Sequence, residues 1–517
     1  MSSVHPLIDD LEASARPFAG DADVVPPAVH GSARRAAAWT IAGYGTLQVL
    51  RLGFNLILTR LVVPEVFGTM ALIGLFVQLL HMFSDLGIRQ SVVSHPRGDD
   101  PDFLRTAWTL QVLRGLVMWV GSAALAWPVS MIYENSIFTW LLPFAGTVAA
   151  VDGLSSTALY VLSRRMRRGP QVAMELGCYV AGTLAGVLGV WLVGRGRPYG
   201  PDVQRDQLIA LVSGNLVTFL LQTAISHRLL REVEHNFHWD RNAARDLLHF
   251  GGWIFLGTAS YFLAGQADRL VIGKNQAELG IYNPAVQLSL VPHLLLYELL
   301  SQLALPLYAK KLAVDDVAGI PAVHLTLGAL GALLISGLIA VGPTFVECIY
   351  KPNYRPGEIG FFTQLLAAGT WFGILQYAHE TLILASGQSR GPALAQVVKL
   401  AIMVPCMFLG YRLAGLTGMV VGFKTPDVLR YIMLAVKTER QGHALWRADV
   451  LLTLGIGVAV AVGYGVRSWL LEAGVNKFAR LPIEALAVLA VWALVGYALW
   501  RTGRIAAVWV RGETAAC

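Results

Sequence analysis

The stretch TRLVVPEVFGTMAL, Thr59 to Leu72, has a counterpart far downstream in DRLVIGKNQAELGIYNPAVQL, Asp268 to Leu288. Both place Arg-Leu-Val at the end of one apolar segment, then a short turn, then Phe-Gly or Leu-Gly at the start of the next. The shared arrangement predicts an internal repeat. Copies holding an even number of membrane spans keep one orientation and are related by an axis along the membrane normal.

Crossing a hydrocarbon core of ~30 Å takes about 20 mostly apolar helical residues. Working outward from the two copies, such segments lie near 38–60, 67–88, 104–127, 138–160, 170–193, 206–227, 247–272, 280–306, 318–342, 359–385, 393–411, 418–436, 450–471 and 482–500. They predict an all-α polytopic membrane protein of about fourteen transmembrane helices, two six-helix lobes plus two C-terminal helices. The expected divisions are 1–33, a disordered cytoplasmic tail; 34–227, the first lobe; 228–246, a cytoplasmic linker; 247–437, the second lobe; and 438–517, the two extra helices and a cytoplasmic C-terminus.

Charged residues make up 14% of the chain against 55% hydrophobic, where soluble domains hold about 25% charged. A soluble globular chain is therefore excluded. The net charge of +7 raises nucleic acid as a partner, but the cations sit in alternate loops with no aromatic-interleaved patch. Arg34 and Arg35, the Arg164–Arg168 cluster, Arg228 to Arg245, Lys310 and Lys311, and Arg501 to Arg511 all fall on one predicted side. By the positive-inside rule that side is cytoplasmic and holds both termini. Residues 1–33 lack the charged-apolar-cleavage order of a signal peptide. Cys178, Cys348, Cys406 and Cys517 show no CxxC spacing and read as small helical residues and a terminal thiol, without metal or disulfide.

An ionisable residue at mid-bilayer costs about 2.5–3.5 kcal/mol on insertion scales, so each needs a reason. In the first predicted span Tyr44, Gln48, Arg51 and Asn55 make one polar face. Gln78, His81 and Asp85 do so in the second, Gln111 and Arg114 in the third, and Asn215, Thr218 and Gln222 in the sixth. Such stripes face a wet cavity or one another. The second half carries Asp268 and Arg269, His293 and Glu298, His379 and Glu380, Lys399, then Lys424, Asp427 and Arg430, with a break expected at Pro426.

Two readings stand for several of these. Arg60 and Arg269 lie near helix ends, where cations either snorkel to headgroups or serve the cavity. Asp268 either neutralises Arg269 or couples transport to a cation. His81 and Asp85, one turn apart, form either a structural pair or a proton relay, and Ser84-Asp85-Leu86-Gly87 reads equally as an interfacial helix end. Mid-helix depth makes Arg51 and Arg114 the hardest to explain structurally.

Arg60-Leu61-Val62-Val63-Pro64-Glu65-Val66-Phe67-Gly68 followed by Phe83-Ser84-Asp85-Leu86-Gly87-Ile88 resembles the opening of bacterial polysaccharide flippases. These belong to the multidrug/oligosaccharidyl-lipid/polysaccharide exporter superfamily. Asp268 to Gly273, Leu279-Gly280-Ile281-Tyr282 and Pro306 resemble the start of that family's second lobe. Cys348 to Gly357 resembles its outer turn before the tenth helix, and Ala385-Ser386-Gly387-Gln388 the inner turn after it. The resemblance implies two six-helix lobes around an alternately opening cavity, translocating undecaprenyl-pyrophosphate-linked oligosaccharide in the bacterial inner membrane. It implies no catalytic residue, cofactor or metal, and polysaccharide polymerase and chain-length machinery as partners. It also implies a cationic cavity, assigned to Arg51, Arg114, Arg269 and Lys399 with Gln48 and Asn55. Coupling or ion pairing falls to Asp268, His81, Asp85, Lys424, Asp427 and Arg430. Arginine forks suit pyrophosphate oxygens bidentately, and lysine adds a point charge.

A cation-coupled multidrug exporter of the same superfamily is the runner-up, kept open by Asp85, Asp152, Glu175 and Glu298. A membrane-embedded enzyme fits less well, because every predicted outer loop is short and neither a nucleophile motif nor a GxxxxGK[ST] loop occurs.

Overall fold

The computed structural model describes residues 27–83, 88, 92, 97–165, 167–230, 235–241, 243–244, 265–313, 319–386, 388 and 390–501. Its helices are α1 (Pro27–Leu61), α2 (Pro64–Phe83), α3 (Pro101–Ile132), α4 (Phe138–Gly153), α5 (Ala158–Arg164), α6 (Arg168–Gly194) and α7 (Pro201–Leu229). There follow α8 (Gln276–Ala313), α9 (Ile320–Ile349), α10 (Pro356–Ala385), α11 (Arg390–Arg440), α12 (Trp446–Glu472) and α13 (Lys477–Arg501). No strand occurs among the described residues. Among the described residues nine helices are long and apolar enough to cross a membrane, ten when α4 and α5 count as one bent span. The chain is a multi-pass membrane protein. The span expected at 247–272 lies outside the described residues except for helical 265–272.

Three places correct the sequence reading. Helix α1 begins at Pro27, inside the stretch expected as tail, where Pro at the first helical position and an alanine-rich run favour helix. The fourth span is two helices bent by 59°. Gln111, expected to face a cavity or another polar stripe, is buried at that break, where its Nε2 donates to the carbonyls of Gly153 at 3.3 Å and Ser155 at 3.0 Å. Those acceptors are the ones a helix end leaves without intrahelical partners. Finally, α11 runs through Pro426, and its non-helical torsions fall at Ala414 and Gly415. Proline costs one hydrogen bond, whereas Gly415 supplies the positive φ of 57° that reverses the chain. The two arms fold back so tightly that a Cβ on Gly410 would lie 2.0 Å from the Gly418 carbonyl oxygen. Those arms are the predicted spans 393–411 and 418–436.

Helix packing sorts into two sets: α1 with α6, α3 with α4, and α6 with α7; then α8 with α10, α9 with α10, and α10 with α11. Helices α12 and α13 pack on α9. The sets meet where α2 crosses α8, and there the two stretches with the shared Arg-Leu-Val arrangement touch. A Cβ on Gly68 would lie 1.9 Å from the Gln276 carbonyl oxygen, and one on Gly280 would lie 1.9 Å from the Pro64 carbonyl oxygen. Around this crossing Thr69 Oγ1 bonds Gln276 Oε1 at 3.1 Å, Asn135 Nδ2 donates to the same oxygen at 3.0 Å, and the Tyr133 hydroxyl donates to the Leu270 carbonyl at 3.0 Å. The turn after α9 reaches across as well. Tyr354 donates to the Val62 carbonyl at 3.1 Å and Lys351 to the Arg60 carbonyl at 2.7 Å. Arg60 itself donates to the Cys348 carbonyl at 3.3 Å, so it bridges the sets at this end.

Residues 235–240 of the expected linker lie along α3. His238 N donates to Thr109 Oγ1 at 3.1 Å, and His235 Nε2 meets Ser156 Oγ at 2.7 Å. Burial, then the neighbouring His227, lowers the His235 imidazole from 6.5 to about 4. The packed linker thus holds the neutral ring; its contribution is full above pH 6.5 and is lost as pH falls toward 4.

Two outcomes follow from this packing. A dye on Asn236→Cys should report linker release with a midpoint between pH 6.5 and 4, and His235→Gln should abolish that transition. Unchanged titration in His235→Gln would remove the imidazole from the account. For the crossing, overpacking costs about 1–3 kcal/mol, roughly a 5- to 150-fold shift of a two-state equilibrium. Gly68→Ala should therefore lower disulfide crosslinking between Thr69→Cys and Gln276→Cys, measured against the same pair with Gly68 intact.

Candidate functional site

The polar residues singled out from the sequence fall into separate local arrangements. On α1, Arg51 is exposed, with its guanidinium carbon 6.0 Å from the Tyr179 ring centroid on α6. Gln48, one turn before, is half-buried and partnered. One turn after, Asn55 Nδ2 donates to Gln287 Oε1 on α8 at 2.6 Å. Asn55 therefore belongs to the contact between the two helix sets, below the glycine crossing.

Arg114 is half-buried on α3 and donates through Nη2 to the His81 carbonyl of α2 at 3.3 Å, with His81 Nδ1 at 3.5 Å. His81 thus meets Arg114, while Asp85, its expected partner, lies outside the described residues. Arg51 and Arg114 sit on different helix pairs, α1 with α6 and α3 with α2. Glu175 accepts from Gln171 at 2.8 Å.

The second set concentrates its charge. Lys399 Nζ and Asp427 Oδ1 are 2.5 Å apart, Lys424 Nζ lies 3.9 Å from Asp427 Oδ2, and Gln376 Nε2 donates to Asp427 at 3.3 Å. One turn on, Arg430 pairs with Glu380 at 2.8 Å. The stem of Lys424 lies over Gly369, where a Cβ would come within 2.5 Å of its Cγ. Lys399 was expected as a cavity cation; the structure binds it to Asp427. Asp268 is buried and accepts from the Tyr282 hydroxyl at 2.7 Å and from the Arg269 amide at 2.8 Å. The Arg269 side chain turns to Gln266 Oε1 at 2.8 Å. Simple neutralisation of Arg269 by the Asp268 carboxylate is therefore not what this geometry contains. His293 and Glu298 lie on α8 with side chains outside the described residues.

Tyr179 and Gln376 went unremarked in the sequence, and Tyr282 and Gln287 were read only as parts of motifs, without a polar role. Each is a neutral residue in an apolar span, and only proximity to Arg51, Asn55, Asp268 or Asp427 marks it.

Charge pairing of this kind has a measurable asymmetry. Removing one partner of a buried pair costs about 3–5 kcal/mol because the other charge stays uncompensated. Asp427→Asn strands both Lys399 and Lys424, whereas Lys399→Met leaves Lys424 facing Asp427. Thermal unfolding of purified variants should show the larger Tm loss for Asp427→Asn, with the double variant Lys399→Met/Asp427→Leu milder than Asp427→Asn alone.

Two helix sets that cross through small residues, with ion pairs between membrane helices, define the class as a multi-pass, all-helical membrane protein. Comparison with solved structures gives the same fold. A structure described as lipid II flippase MurJ, inward closed conformation, superposes with TM-score 0.64 at 12% identity, covering 90% of this chain and 99% of that one. An inward-facing multidrug resistance MATE family transporter of the MOP superfamily superposes with TM-score 0.58 at 11% identity, covering 79% of this chain and 95% of that one. Residues 57–356 match the polysaccharide biosynthesis protein family, and the chain belongs to it. The lipopolysaccharide biosynthesis protein WzxC of Escherichia coli (strain K12) is 20% identical over 407 residues, 76% of this chain and 77% of that protein.

Proposed function

We propose that this chain is a flippase of the bacterial inner membrane. It translocates undecaprenyl-pyrophosphate-linked oligosaccharide repeat units for polysaccharide assembly. The observation that carries the reading is the close crossing of the two helix sets at Gly68 and Gly280, in a chain of the polysaccharide biosynthesis protein family. With both termini cytoplasmic, this crossing lies toward the periplasmic side. Opening the crossing and closing the opposite end presents the cargo outside, which is alternating access.

The anionic pyrophosphate is the costly group to carry through hydrocarbon, and arginine is the side chain whose fork matches it. Arg51 is exposed on α1 and Arg114 half-buried on α3, which suits them to that contact. The sugar takes the polar faces beside them, and the lipid tail stays in the bilayer between lobes. Lys399, Lys424, Asp427, Arg430 and Glu380 form the paired network whose rearrangement accompanies lobe motion, with Asp268 and Arg269 beside α8. Polysaccharide polymerase and chain-length machinery receive the product. Nothing in this scheme requires bond making, so the protein acts as a transporter and not as an enzyme. A cation-coupled drug exporter shares the fold, but arginines in the first lobe favour an anionic cargo.

The test is flipping of a fluorescent lipid-pyrophosphate oligosaccharide in proteoliposomes. A charge-assisted hydrogen bond contributes ~1.5–3 kcal/mol, so Arg51→Ala should slow flipping roughly 10- to 100-fold at normal protein abundance. Arg51→Lys should recover part of the rate, because charge returns without the fork. Full activity in Arg51→Ala, or preferred transport of an organic cation, would overturn the reading.

A further inference from the structure

Away from the lobe crossing, three residues from three helices converge in a fully buried cluster. His324 is on α9, His379 on α10, and Asp449 in the first turn of α12. His324 Nε2 lies 2.6 Å from Asp449 Oδ1 and His379 Nε2 lies 2.9 Å from Asp449 Oδ2. Each residue offers one ligand atom, and the three atoms lie within 4.8 Å of one another. We propose that His324, His379 and Asp449 form a structural site for a divalent transition-metal ion of the Zn2+ class. The ion clamps the first additional helix, α12, to the second lobe.

The chemistry of the donor set carries this. Two imidazoles and a carboxylate are a Zn2+ ligand set, with bonds of ~2.0–2.2 Å. Tetrahedral ligands at that distance stand roughly 3.3 Å apart, so each ring nitrogen draws back from its carboxylate oxygen by roughly 0.4–0.7 Å to admit the ion. The Tyr431 hydroxyl on α11, 2.9 Å from Asp449 Oδ2, supplies a fourth oxygen. Once ionised on the metal, it balances the second positive charge that Asp449 leaves.

The surroundings have the form that orients metal ligands. Metal-bound imidazoles have their second nitrogen held by a polar neighbour, which fixes the ring and its basicity. Tyr308 on α8 meets His324 Nδ1 at 3.2 Å, and Thr438 on α11 meets His379 Nδ1 at 2.8 Å. Both rings therefore turn Nε2 toward the same carboxylate. Thr453, one turn beyond Asp449, ties α12 to Trp371 of α10 through a 3.0 Å hydrogen bond, so the clamp sits at an existing helix contact. The site is independent of what the lobes transport.

Untagged, full-length protein in detergent is stripped with chelator, exposed to Zn2+, desalted and assayed by elemental mass spectrometry. Wild type should retain about one zinc per chain and gain Tm with zinc. Asp449→Asn and His379→Gln should lose both properties, and Tyr308→Phe should weaken zinc binding roughly 10- to 100-fold. Co2+ added to stripped wild type should give the intense visible bands of a tetrahedral site, a readout that needs no variant to fold. No retained zinc, an unmoved Tm and no such bands in wild type would reduce the cluster to a hydrogen-bonded His-Asp-His triad and overturn the proposal.

Discussion

The structure turns on one contact, the backbone crossing of α2 and α8 at Gly68 and Gly280. Helices approach this closely where neither carries a side chain at the crossing point, because any Cβ would enter the space of a facing carbonyl. The contact also places Thr69, Tyr133, Asn135, Gln276, Arg60 and Tyr354 within hydrogen-bonding reach across the two lobes. Around the glycines the same crossing is apolar, with Val66, Phe67 and Leu72 in one buried cluster with Leu279, Tyr282 and Val286.

Charge inside the bilayer is managed by pairing. Free cations would each cost several kcal/mol in hydrocarbon, and the second lobe offsets this by setting Lys399 and Lys424 around Asp427 and Arg430 against Glu380. In the first helix set Arg114 meets a carbonyl and an imidazole of His81, and Arg51 an aromatic face.

The two additional helices are joined to this frame by polar contacts as well as by packing. Glu347 at the end of α9 takes Arg467 of α12 at 2.7 Å and Arg480 of α13 at 3.1 Å. The His324, His379 and Asp449 cluster joins α12 to α9 and α10 at the other end of the same helices. Apolar packing alone gives little preference for one helix partner over another in lipid, because lipid tails are as apolar as leucine. Polar clusters at both ends of α12 supply that preference.

The sequence by itself was enough for the all-α membrane class and the family, since hydrophobic length and local motifs need no partner to be read. It also located Arg51, Arg114, Asp427 and their neighbours, because a charge in an apolar span is visible one residue at a time. What it did not contain was who faces whom. Helical spacing put Gln111 on a polar face with Arg114, yet Gln111 caps a helix break 41 to 44 residues away. Likewise, His324 and Asp449 are 125 positions apart and carry no signal until folding sets them 2.6 Å from each other. Faces are a property of single helices, whereas partners are a property of their packing, and that packing was decided by tertiary structure alone.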